Sequence, residues 1–246
     1  MFTLVGYSEN QDSAGAFVGV APIPDPHVRV EGDFIVVPEL NRVICALAMG
    51  AGISRARLTA PSLRSFITPE INPVVDAAAL TETHLLRQRA DYNLLLTTDE
   101  QLSAEIIETT SGAELEKVFV WLADELPQQV DGEMFTVRAT HPAIAAALWS
   151  NVAITLEQAL PVGRYACVGA RHESATASAF RFQPVGELYR PGGVSAIALG
   201  NVDPPGQRRG GWGVWFEFDQ LRPPTIEVHA TAADASGVVY LDLMRL

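Results

Sequence analysis

Five histidines (His27, His84, His141, His172 and His229) and two cysteines (Cys45 and Cys167) are the side chains here with most capacity to ligate a metal or attack a substrate. No two histidines stand in an H-x-H or H-E-x-x-H spacing, so nothing local points to zinc. His229 alternates with Glu227 on the polar side of an apparent strand and is expected to be solvated. Each cysteine lies inside an apolar run and reads as a small core residue rather than a nucleophile. Carboxylates pair at Glu105/Glu108, Glu114/Glu116 and Asp124/Glu125. General acid–base work needs two carboxyls held apart in a cleft with unequal environments. Spacing alone supplies no cleft, and a charged solvent face accounts for each pair. There is no G-x-S-x-G, G-x-x-x-x-G-K-[ST] or G-x-G-x-x-G. Gly50-Ala-Gly52 joins two apparent strands and does not open a helix. Arg208-Arg209-Gly210-Gly211 reads as a solvated hairpin loop. Trp215 and Tyr189 are candidates for an exposed sugar-stacking platform, while Trp121, Trp212 and Phe216 read as core fillers. The expectation is therefore no catalytic residue, no cofactor and no metal site.

The elements that would position these residues follow a period of two. Trp212, Val214, Phe216 and Phe218 alternate with more polar positions. The same alternation recurs at Phe135–Thr140, Val152–Glu157 and Thr225–Thr231. Phe34–Val37, Val43–Met49, Val118–Leu122 and Val238–Leu243 are short apolar runs, which suit strands covered on both faces. Turn signals at Val130-Asp-Gly, Leu160-Pro-Val-Gly, Arg190-Pro-Gly-Gly, Asp203-Pro-Pro-Gly and Arg222-Pro-Pro break them at short intervals. This pattern predicts an all-β sandwich or barrel. Three stretches are candidate helices: Thr140–Trp149, with Thr140 as cap and Pro142 in its first turn, Leu80–Arg89 and Asp99–Glu108.

The chain has 246 residues, 48% of them hydrophobic and 19% charged, which excludes global disorder. No apolar run nears the ~20 residues of a membrane-spanning helix. Met1–Tyr7 has no basic residue ahead of its apolar part and does not read as a secretory signal. The net charge is −12, which repels nucleic acid in general. Sixteen of the seventeen basic residues are Arg, leaving Lys117 alone. Arginine suits ordered, bidentate interface pairs, although genome base composition explains the same bias.

Leu126-Pro-Gln-Gln-Val-Asp-Gly divides the chain near its middle, predicting sandwiches over 1–127 and 128–246. The halves share a phrase. Val43-Ile-Cys-Ala-Leu-Ala leads to Ser54-Arg-Ala-Arg-Leu-Thr-Ala-Pro61, and Tyr165-Ala-Cys-Val-Gly-Ala leads to Ser178-Ala-Phe-Arg-Phe-Gln-Pro184. The match requires a two-residue shift and predicts a duplicated sandwich. On that basis Cys45 and Cys167 belong to separate cores and form no disulfide.

The stretch Trp149–Arg171, with Ser174–Phe182, Tyr189-Arg-Pro-Gly, Val238–Leu246 and Ser54–Arg64, resembles the double jelly-roll major capsid proteins of tailless bacterial viruses. That resemblance implies two tandem antiparallel jelly-roll β-sandwiches with little helix. It implies a homotrimer whose six sandwiches form a pseudo-hexagonal capsomer, tiling an icosahedral shell with neighbouring capsomers and with minor capsid or penton proteins. The location implied is the virion, after synthesis in the host cytoplasm. Residues 1–28 contain no Lys or Arg but do contain Glu9, Asp12 and Asp25. The shell is accordingly expected not to grip nucleic acid through these residues, leaving room for an internal membrane or another protein layer. A carbohydrate-binding β-sandwich module is the alternative from a different class.

Overall fold

A computed structural model describes residues 1–12, 14–63, 70–71, 74–76, 94–109, 114–197, 211–233 and 236–246. His84, the Leu80–Arg89 helix candidate, the Asp203–Gly206 turn and Arg208–Gly210 lie outside them. Every regular element among the described residues is a β-strand, apart from one short 3-10 turn at Pro61–Leu63. It forms two compact units. One holds the described parts of Leu4–Ala78 and Leu86–Leu126, and the other holds Pro127–Leu246 together with Met1–Thr3. The boundary between the units falls between Leu126 and Pro127, and Met1–Thr3 group with the residues after it. Phe2 sets its ring edge-on to Trp212 and Trp215, with centroids at 5.7 and 5.3 Å. The Thr3 hydroxyl oxygen accepts the Arg190 backbone N–H at 2.9 Å.

The first unit contains β1 (Phe2–Gln11) from Leu4 onward, β2 (Val18–Val20), β3 (Val30–Glu31), β4 (Phe34–Val36), β5 (Arg42–Met49), β6 (Ile53–Thr59), β7 (Val74–Val75), β8 (Leu94–Leu95), β9 (Gln101–Glu108) and β10 (Glu114–Ala123). The second contains β11 (Phe135–His141), β12 (Trp149–Ala153), β13 (Thr155–Leu156), β14 (Arg164–Glu173), β15 (Ala177–Gln183), β16 (Gly192–Ala196), β17 (Phe216–Asp219), β18 (Thr225–Ala230) and β19 (Gly237–Arg245).

Both units are wound the same way. In the second, the first strand pairs with the last, giving β11-β19-β14-β17, and the next strand pairs with the penultimate one, giving β12-β18-β15-β16. The first unit repeats this nesting as β1-β10-β5-β8 and β2-β9-β6. A hairpin folded back so that outer strands enclose inner ones is the jelly roll, whose two sheets face each other across one core. Even the crossover matches. β16 runs parallel to the end of β14, with His172 opposite Ser195, and β7 runs parallel to the end of β5, with Ala48 opposite Val74. The fold is thus all-β, two tandem jelly-roll sandwiches.

Local pattern explains these strands. In β9, Leu102, Ala104, Ile106 and Glu108 are buried, while Ser103, Glu105 and Ile107 between them are not. That two-residue alternation overrides the helix expected over Asp99–Glu108, because β2 and β4 pair along one edge of the strand and β6 along the other. The helix expected over Thr140–Trp149 is likewise absent. Thr140 and His141 are ladder partners of Val238 and Gly237, and Ala147 has φ of 62°, which no right-handed helix accommodates. In β5 and β10, Val43–Met49 and Val118–Leu122 are buried on both faces, as their unbroken apolar runs imply.

The cores differ in kind. The first is aliphatic, built from Val5, Val43, Leu58, Ile106, Val118 and Val120, with the Tyr7 hydroxyl donating to the Leu102 carbonyl at 2.6 Å. The second is aromatic. Phe180, Phe182, Trp215, Phe216 and Phe218 form a continuous chain of ring contacts at centroid distances of 5.1 to 6.5 Å. Each such pair adds about 0.5–1.5 kcal/mol beyond burial.

Candidate functional site

Buried polar groups on the inner face of the second sandwich are the first place to look for chemistry. β19 pairs with both β11 and β14, placing His141 opposite Gly237 and His172 opposite Val239. The two imidazoles meet Nε2 to Nε2 at 2.8 Å, with rings stacked at 5.1 Å. His141 Nδ1 lies 2.7 Å from the Pro142 carbonyl, and His172 Nδ1 lies 2.7 Å from the Ser195 hydroxyl. A carbonyl only accepts, so His141 Nδ1 carries a proton and donates it. With neutral rings, His141 Nε2 then accepts from His172 Nε2–H, and the Ser195 hydroxyl donates to His172 Nδ1. A side chain on residue 237 would put its Cβ 2.2 Å from His141 Nε2 and 2.8 Å from His172 Nε2, so glycine is required there.

A serine hydroxyl on a histidine that is held by a second basic group has the connectivity of an activated nucleophile. Access decides against that chemistry. Ser195 and His172 are 0% exposed and His141 is 3% exposed, so no substrate carbonyl reaches the hydroxyl. The network can hold and redistribute a proton. Sequence spacing gave no sign of it, because 31 and 23 residues separate its members and only strand register joins them.

A second arrangement occurs twice. In the first unit Arg57 Nε donates to Glu105 at 2.5 Å, and its guanidinium lies 3.9 Å from the centre of the Phe17 ring. In the second, Arg181 Nε donates to Glu227 at 2.6 Å and lies 4.2 Å from the Trp149 ring. The positions correspond: Arg57 faces Glu105 across β6/β9, and Arg181 faces Glu227 across β15/β18. Each arginine-bearing strand has a register shift at its start, between Ile53 and Arg55 and between Ala177 and Ala179. Their settings differ, with side-chain exposures of 30% and 25% for the first pair and 0% and 4% for the second. Close packing around the second pair also dictates Gly192, opposite Arg181, where a Cβ would lie 2.1 Å from the Phe180 carbonyl oxygen.

The remaining expected positions fall as follows. Cys45 and Cys167 are buried, one in each unit, and neither is in a disulfide. Burial raises the Cys167 thiol well above its ordinary range. His27 is exposed. His229 is 0% exposed with its ring edge-on to Trp149, which corrects the expectation that it is solvated. Arg181 and Glu227 on the same face are buried too, whereas Asn151 and Ala153 on the neighbouring strand are exposed. Trp215 is 1% exposed and stacked inside the aromatic core, so it offers no platform to a sugar. Among the carboxylate pairs, Asp124 and Glu125 are exposed, whereas Glu108 and Glu116 are buried. No group of three or more His, Cys, Asp or Glu side chains capable of holding a metal occurs among the described residues.

Lys117 is buried beside Glu116 on β10. Burial pushes its ammonium down to about 8, and the Glu116 carboxylate opposes part of that shift. An unfolded chain keeps the same proton to about 10.4. Between these values the unfolded state binds more protons, so this group makes stability rise with pH from about 8 to 10. Burial raises Tyr7 and Cys167 and works in the opposite sense, so the informative quantity is a difference. Relative to a Lys117→Met variant, the wild-type unfolding constant is expected to fall about tenfold per pH unit over that window. Urea denaturation at pH 8, 9 and 10 measures it, and parallel pH profiles would contradict a buried Lys117.

No family model and no curated protein matches this chain. Among solved structures it is similar to the crystal structure of the major capsid protein P2 from bacteriophage PM2. That similarity has 10% sequence identity and a TM-score of 0.26, and it covers 100% of this chain and 97% of the other. A likeness at that level assigns no function here.

Proposed function

We propose that this chain is a structural subunit of a virus shell, a major capsid protein assembling as homotrimers. The observation that carries the reading is the internal repeat, which matches in strand order, crossover, register shifts and the arginine–glutamate–aromatic arrangement. Three copies of a chain with two like sandwiches place six like blocks around one axis, and such a body tiles a plane hexagonally. On this reading 1–127 and 128–246 are the two sandwiches, apart from the exchange of Met1–Thr3. Neighbouring capsomers and minor capsid or penton proteins are the partners, and the virion is the location, after synthesis in the host cytoplasm. Residues 1–28, with three acidic residues and no Lys or Arg, do not grip the genome on this reading, and an internal membrane fits that arrangement. No catalytic role is assigned.

Exposed apolar residues support assembly. Val162, Leu188, Leu221 and Leu246 are 80%, 86%, 78% and 59% exposed. They lie at one end of the second sandwich, where β14 begins and β15, β17 and β19 end. Apolar surface concentrated in this way marks interaction sites. The sugar-binding alternative loses its best platform with the burial of Trp215. Light scattering on the purified chain tests the proposal: the expected mass is three times the 26.5 kDa chain. A strictly monomeric chain that retains sugars on a glycan array would overturn it.

A further inference from the structure

We infer that the His141–His172–Ser195 network is an acid-sensitive latch at one end of the second sandwich. It joins the end of β11, the end of β14 and strand β16 around Gly237 at the start of β19. The network accepts one additional proton without breaking. His172 takes it at Nδ1, and the Ser195 hydroxyl reverses from donor to acceptor. A second proton has only His141 Nε2 to occupy, which sets two N–H bonds head to head across 2.8 Å. The latch then opens.

The surroundings leave that repulsion in place. Phe180 of β15 packs on His172 at 5.5 Å, Ser195 comes from β16, and Gly237 comes from β19. The charged groups on these strands are Arg138 on β11, Arg164, Arg171 and Glu173 on β14, Arg181 on β15, and Asp242 and Arg245 on β19; β16 carries none. Arg164 and Arg245 stand at the ends of β14 and β19 farthest from the pair; each of the others occupies a position of opposite alternation to the residue that meets the pair, so it belongs to the outer face of its sheet. Arg171 pairs there with Asp242, and Arg181 pairs with Glu227.

Below the ordinary histidine value of about 6.5 the unfolded chain binds two protons at these residues and the folded chain at most one. Stability must therefore fall as pH falls through that value. The test is urea unfolding of the full chain between pH 8 and 5, for wild type and for the double variant His141→Gln, His172→Gln. Below about pH 6 the wild-type unfolding constant is expected to rise relative to the variant by at least about tenfold per pH unit. Identical slopes would overturn the latch. If the variant does not fold, NMR of the wild-type imidazoles decides, with the exposed His27 as reference signal. Titration of both buried rings to full protonation in the folded chain would overturn the proposal; loss of native signals before the second proton is taken supports it.

Discussion

Replacing Phe2 by alanine is expected to destabilise the second sandwich by about 3–5 kcal/mol, the range for deleting a buried phenylalanine. The residue is at the opposite end of the sequence from the unit it supports. Its ring is 2% exposed and meets the edges of Trp212 and Trp215, which continue into the stack of Phe180, Phe182 and Phe216. Alanine removes both edge contacts and leaves a cavity beside two large rigid indoles that have little freedom to collapse into it. A Thr3→Val change is expected to cost less, about 1 kcal/mol, by leaving the Arg190 N–H without its acceptor. Tryptophan fluorescence during urea unfolding reports on this region directly. A Phe2→Ala loss below about 1 kcal/mol would mean that Met1–Thr3 are not part of the second unit.

The second large effect is an asymmetry between matched positions. Arg181→Met is expected to cost about 3–5 kcal/mol, because it removes the opposite charge from the Glu227 carboxylate in a fully buried setting. Arg57→Met removes the corresponding ion pair from the first sandwich, where both side chains are partly solvated. There the expected loss is within about 1 kcal/mol. Replacing both members of the buried pair, Arg181→Met with Glu227→Leu, should recover much of the loss, since neither buried charge remains. Equal effects of Arg181→Met and Arg57→Met in the same denaturation experiment would contradict the difference in burial.

The repeat was readable because its signals are local. Alternation and turn residues mark the strands, and the two cysteine phrases mark corresponding ones. Register now explains the two-residue shift. Arg42 and Val43 meet β8 as Arg164 and Tyr165 meet β17, an offset of 122. The irregular steps at Ile53/Arg55 and Ala177/Ala179 put the following strands at an offset of 124. The difference is accommodated by β14, which has ten residues where β5 has eight. What escaped the sequence depends on partners far along the chain. Asp99–Glu108 has helix-compatible polar spacing, and only strands on both of its edges decide its state. His229 stands at a polar position in the alternation, and its burial follows from its neighbours on that face, Trp149 among them. The histidine pair required β19 to hold β11 and β14 on its two sides, with Gly237 leaving room for the rings to meet across it.

The most direct test of the central claim, a duplicated jelly roll built to assemble, is electron microscopy of the purified full-length chain. The account predicts three-fold particles with six-lobed, near-hexagonal outlines, forming flat or curved lattices as concentration rises. Discrete two-lobed monomers at every concentration would contradict it.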